Sequence, residues 1–228
     1  MHGLINVEMI LLVLESVLLL ATVILLVYSI KEGKHRDKLI MEVGKATRVL
    51  TRQEYFLTVM DSMMDADREV VGSITGRRPG KEGAIRVKHL VENIEKMRGK
   101  GVQVKYLIPK FADRIHVGSL YAKAGAEVRY SDCLMVQDLR YLVVDNRWVI
   151  LGIPEHTGNK EATRKGYKIP SEGLAGLLEE NFRECWDASV PYEDYVRQIL
   201  KKTGAAPHLL ARELEVDAGE LERLSRGS

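Results

Sequence analysis

Four residues in the stretch 137–156 have types and spacings suited to phosphoryl chemistry: Asp138, Arg140, Asp145 and His156. A carboxylate such as Asp138 can attack phosphorus and form a phosphoenzyme, and the fork of Arg140 can hold phosphoryl oxygens in pairs. An aspartyl nucleophile normally has Mg²⁺ beside it to offset its charge. No carboxylate cluster with metal-ligand spacing accompanies Asp138, so neither a metal nor another cofactor is expected. The plainer account of Asp138 and Arg140 is an exposed strand end, its charges paired across strands or across a dimer interface. His156 and His116 stand in a loop and a helix, where lone histidines usually do nothing special.

A second constellation is Gly76-Arg77-Arg78-Pro79-Gly80-Lys81. Its three cations and two glycines lie just after a strand-like run and just before a helix-like one. Such a loop can cradle a phosphate or a lipid head group, although many solvated loops have the same composition. It is too short and irregular for a nucleotide-binding fingerprint. Arg77, Arg78 and Lys81 therefore join Arg140 as the ligand-binding candidates.

The elements that must position these residues alternate. Residues 69–75 form a short β-branched run and residues 84–98 have helical spacing through Ile85, Leu90, Ile94 and Met97. Residues 102–108 read as a second strand, 114–124 as a short helix and 128–130 as a third strand. Strands 134–144 and 148–151 flank Asp145-Asn146-Arg147, a hairpin-turn signature that makes Asp145 a turn residue. A β-α-β-α-β-β order predicts an α/β fold, a mixed sheet covered by helices. After a loop over 154–170, Ser171 caps a helix whose Leu174, Leu177, Leu178, Phe182 and Trp186 share one face.

This order, over residues 69–186, resembles one half of a phospholipase D-like domain. The motif of that superfamily runs His-x-Lys, four residues, Asp, six residues, Gly, usually Ser, and an Asn three residues on. Aligned here, Asp138 stands at the His position and Arg140 at the Lys position, while Asp145 and Gly152 match. Ile153 takes the Ser position and His156 the Asn position. The closing Phe182-x-x-x-Trp186 resembles the last helix of such domains. The resemblance implies a histidine nucleophile, a lysine on the phosphoryl oxygens and two motifs facing each other. This chain holds at most one copy, without the histidine, so the superfamily mechanism is expected to be lost. A dimeric phosphodiesterase or nuclease with an altered site, using Asp138, Arg140 and His156, is the rival expectation.

The chain has 228 residues, with 34 Lys+Arg against 32 Asp+Glu. That near balance argues against a protein built to coat nucleic acid. Cys133 and Cys185 fit no metal spacing and are expected as separate reduced thiols. Residues 9–30 hold one charge, Glu15, and as a helix are about 33 Å long, enough to cross a bilayer core of about 30 Å. A cleaved signal peptide would want a basic start and a small-residue cleavage site, and neither is present. Glu15 costs roughly 3 kcal/mol in such a span, so a partner helix or simple tolerance in so apolar a helix is expected of it. Lys and Arg follow the span (KEGKHRDK) and none precedes it, which predicts a single-pass anchor in the cell membrane, N-terminus outside and the rest cytoplasmic.

Four parts are expected: an anchor over 1–30, a juxtamembrane helix over 31–67, the α/β domain over 68–190 and a helical tail over 191–228. Leu39, Val43, Ala46, Leu50, Leu57, Met60 and Met64, with Gln53 between, keep a heptad seam that predicts a homodimeric coiled-coil stalk. The tail has a helix-turn-helix rhythm, and the TrmB family of archaeal sensors joins such a module to a phospholipase D-like domain. There the DNA-binding part comes first and is larger. Asp217, Glu220 and Glu222 on the second helix would meet repulsion from phosphates, so nucleic acid is an unlikely partner and a protein partner is expected instead. The sequence thus predicts a membrane-tethered, non-catalytic sensor or scaffold for an anionic lipid or another phosphate-bearing ligand. A membrane-bound transcription regulator is the further alternative.

Overall fold

The computed structural model describes the backbone of residues 2–157 and 160–226. Side chains are described for these residues except at 2–12, 35–43, 45–46, 81–82, 154–157 and 160–164. The chain divides into two compact units, Met1–Lys45 and Ala46–Ser228.

The first unit is nearly all of one helix, α1 (His2–Ala46). Its segment Val13–Lys34, with a mean hydropathy of 2.4, is long and apolar enough to cross a membrane. Leu19 and Leu25 are 69% and 68% exposed. A helix that is apolar all round with its side chains bare suits lipid rather than water.

The helix expected over 31–67 is not continuous. α1 stops at Ala46, β1 (Arg48–Leu50) follows, and α2 (Arg52–Met64) starts afresh. Thr51 causes the restart through a capping box: its hydroxyl accepts the N–H of Glu54, and the Glu54 carboxylate accepts the N–H of Thr51 at 2.8 Å. Leu50 is 1% exposed in the core, while Leu57 of the expected seam is 56% exposed and Tyr55 and Met63 turn inward. A seam broken by a strand cannot run as one stalk. The side chains of Leu39, Val43 and Ala46 lie outside the described residues.

The second unit is built on an eight-stranded sheet. β2 (Glu69–Ser73), β3 (Gln103–Pro109) and β4 (Glu127–Ser131) are parallel. They are linked by α3 (Lys81–Gly99) and, after a short 3-10 turn, α4 (Ile115–Ala124). On the other side of β2, β5 (Arg140–Val144), β6 (Trp148–Thr157), β7 (Lys160–Pro170) and β1 pair antiparallel in succession. β8 (Val190–Pro191) closes the far edge against β4. The mixed α/β architecture expected from the alternation is present.

Two segments differ from expectation. The loop foreseen over 154–170 instead lengthens β6 and supplies β7, with the register shifting between Ile153 and Pro154, where proline lacks an N–H. The strand foreseen over 134–144 starts as a short helix, α5 (Leu134–Asp138), and becomes β5 only at Arg140.

The period-two alternation of the strands fills two layers. Val70, Leu142 and Val144 face a core shared with Tyr55, Met63, Ile94 and Met97 from α2 and α3. Val71, Tyr141 and Val143 are buried as well, and α6 (Glu172–Asp187) packs on β2 and β5, with the Tyr141 hydroxyl donating to the Leu178 carbonyl at 3.5 Å. α7 (Tyr192–Thr203) and the two tail helices, α8 (Pro207–Leu214) and α9 (Ala218–Arg226), complete the chain. Leu210, Leu214, Leu221 and Leu224 belong to the main core, so the tail is packed into it. Cys133 and Cys185 are joined in a disulfide with Cα atoms 5.9 Å apart, not left as separate thiols. Fifty-two residues separate them in sequence, a spacing that carries no local signal.

Candidate functional site

Asp145 is a structural carboxylate. It opens the turn between β5 and β6 with φ 52°, followed by Asn146 at 54°, and its side chain folds back against the start of β2. Oδ2 accepts the N–H of Asp67 at 2.9 Å, and Oδ1 accepts those of Arg68 at 2.9 Å and Glu69 at 3.0 Å. Burial would raise its pKa, but these donors, with Arg147 beside it, hold the carboxyl below the usual carboxylate range. The residue therefore fastens the hairpin to the start of β2.

The other motif positions are scattered. Asp138 ends α5 and is exposed, whereas Arg140 begins β5 and is half-buried. The change from helix to strand falls between them, so the pair does not sit on one strand. Gly152 is buried in β6, paired with Arg140 on one side and Gly166 on the other. Ile153 is 49% exposed. The side chain of His156 lies outside the described residues. His116 Nδ1 donates to the carbonyl of Glu215 at 2.8 Å, a bond that ties α4 to the turn before α9.

Arg140 and the glycine-arginine loop do converge. The segment after β2 turns sharply at Gly76, whose φ is 60° and where a Cβ would meet Ile108 Cγ2 at 2.5 Å. Only glycine fits so close to β3 in that backbone region. Arg77 and Arg78 follow, and with Arg140 they line a cavity of about 530 Å³. The side chain of Lys81, the fourth candidate, lies outside the described residues. Arg52 from α2 and Arg86 from α3 line the same cavity, so five arginines share it, with no carboxylate among its described lining residues. Arg78 reaches out of it to Glu215 Oε1 at 3.0 Å and to the carbonyl of Glu213 at 2.8 Å. Arg86 stacks on Phe56, 4.7 Å from the ring centre.

The remaining polar groups in the cavity leave its charge unchanged. Burial pushes the Tyr55 hydroxyl up to about 12, with the Arg140 charge pulling the other way. Burial raises Tyr121 as well. Both hydroxyls stay neutral at physiological pH. Arginine forks suit the oxygens of phosphate or carboxylate. Asp138 is not among the described residues that line this cavity.

No family model matches the chain, and no curated protein matches it by sequence. Solved structures do. The chain is similar to Nuc from Salmonella typhimurium, a phospholipase D family member, with a TM-score of 0.50 and 19% identity over 64% of this chain and 97% of that one. NucT from Helicobacter pylori gives a TM-score of 0.50 and 10% identity over 64% of this chain and 98% of that one. TrmBL2, an archaeal chromatin protein, gives 0.48 and 17% over 72% and 64%. The chain thus has a phospholipase D-like fold, preceded by a helix apolar enough to span a membrane.

Sequence reasoning missed Arg52 and Arg86, yet a signal for them was there. Arg52, Tyr55, Phe56 and Val59 fall at i, i+3, i+4 and i+7, and Gly83, Arg86, Val87 and Leu90 repeat that spacing. Each set is one helical stripe with an arginine in it.

Proposed function

We propose that this protein is a membrane-anchored phospholipase D-like domain that binds a phosphate-bearing anion in the arginine cavity without cleaving it, and acts as a sensor or scaffold. The observation that carries this reading is the convergence of five arginines, from four separate parts of the chain, on one cavity without a described carboxylate. Evolution of a nucleophile is not what such a site needs; retention of charge is, and arginine stays charged at every physiological pH. Asp138 at the expected histidine position, exposed and outside the cavity, supports the loss of the superfamily mechanism. The basic flank after the apolar span supports a cytoplasmic domain.

The test is titration of the full chain, held in phosphatidylcholine nanodiscs, with inorganic phosphate and pyrophosphate. Binding is expected, weakened at least about tenfold by Arg77→Ala or Arg140→Ala, as loss of a charge-assisted bond implies. Binding that neither variant changes would place the anion elsewhere and sink this reading.

A further inference from the structure

The apolar surface of α1 is interrupted along one line. Glu15, Thr22 and Ser29 stand seven residues apart, each exposed on the helix. Seven residues make nearly two full turns, so all of them share one face and run about 21 Å along it. Leucines fill the flanking positions, Leu18 and Leu19 after Glu15 and Leu25 and Leu26 after Thr22. The opposite face, through Val13, Val17, Leu20, Ile24 and Val27, is apolar throughout. Of the other polar residues, Ser16 flanks Glu15, and Tyr28 sits near the end of the apolar run, where an aromatic ring suits the headgroup level.

Polar groups that face hydrocarbon are costly, an ionised carboxylate most of all. The Thr22 hydroxyl meets part of its need within the helix, donating to the Leu18 carbonyl at 2.8 Å. A glutamate side chain at this depth calls for a second helix that brings a polar group to it. Resting on the reading of α1 as a membrane span, we infer that this face binds the same face of a second copy of the chain, in a parallel pair of helices. Copies inserted under the same charge rule share one orientation, so residue 15 of one meets residue 15 of the other at equal depth. Hydroxyl groups donate and accept, and two carboxyl groups with a proton between them do the same, so the line complements itself. It needs no lysine or arginine from another protein. A seven-residue repeat with leucines between is also the pattern that two helices follow in a left-handed supercoil. A helix of other sequence would have to match polar groups at each of these depths.

The experiment is energy transfer between full-length copies that carry a donor or an acceptor at the C-terminus. They are reconstituted in phosphatidylcholine vesicles over a series of lipid-to-protein ratios, and an alkaline carbonate wash of the same vesicles reads the span itself. The wild type is expected to resist the wash and to transfer energy beyond the level set by random proximity. Glu15→Leu should weaken association about tenfold, as loss of an interhelical hydrogen bond in a membrane implies, and so demand a lower lipid-to-protein ratio for half-association. Glu15→Gln, whose amide also donates and accepts, should retain it. Ile24→Ala, on the opposite face, should leave it unchanged. Transfer that Glu15→Leu does not weaken, or no transfer in chains that resist the wash, would overturn the inference while the span stood. Chains stripped off by the wash would overturn the span and the inference with it.

Discussion

Arg78 Nη1 and Glu215 Oε1 lie 3.0 Å apart, joining the loop after β2 to the turn between α8 and α9. Glu215 holds φ 54°, in the left-handed region, and its carbonyl also receives the bond from His116. A carboxylate from the chain's own tail thus already neutralises one arginine of the cavity.

Glu215→Gln should therefore strengthen phosphate binding, because Arg78 no longer shares its charge. The pair is largely solvent-exposed, so the stability cost should stay under about 1 kcal/mol. Titration and thermal unfolding of the same sample check both. Weaker binding would show that Glu215 positions Arg78 rather than competing for it.

Asp145→Asn should cost about 2 kcal/mol, since an amide oxygen cannot replace both carboxylate oxygens toward three N–H donors. The sign of the pH effect follows. The folded pKa of Asp145 is depressed below its ordinary value of 3.8, so its contribution is present above that value and lost as pH falls below it. Acid unfolding of the wild type should steepen there, and the variant should lack that part of the transition.

Gly166→Ala should reshape the cavity from behind. A Cβ there would stand 2.4 Å from Cδ2 of Tyr55, a cavity-lining ring whose backbone is fixed by the capping box of α2. A destabilisation of about 1–3 kcal/mol is expected, typical of overpacking. Phosphate affinity should fall with it, and an unchanged affinity would show that Tyr55 does not shape the site.

The Cys133–Cys185 bond closes a span of 52 residues, and reduction should lower stability by up to about 4 kcal/mol on chain-entropy grounds. Disulfides are uncommon in the cytosol outside hyperthermophiles. Alkylation in rapidly quenched cells should then find free thiols if the domain is cytoplasmic, with the bond forming on purification in air. A bond already present in those cells would favour the opposite orientation.

The parts of the fold legible in the sequence were those written locally. Asp145-Asn146-Arg147 announced its turn, the apolar run its span, and Ser171 the start of α6, whose hydroxyl does accept the N–H of Leu174. β7 was hidden because Pro154 reads as a break in the run that continues β6, and because its other partner, β1, lies far away in sequence. The cavity was half legible. Arg77, Arg78 and Arg140 stood out by motif and loop, while Arg52 and Arg86 come to the site only through the packing of α2 on α3. The heptad seam misled because spacing alone does not reveal that Thr51 and Glu54 restart the helix.

Binding without cleavage can be read by ³¹P NMR of a dialkyl phosphodiester mixed with the full chain. The diester resonance should broaden or shift with added protein, Arg140→Ala should abolish this, and no monoester resonance should grow with time. A growing monoester resonance that Asp138→Ala removes would contradict binding without cleavage and make the protein an enzyme.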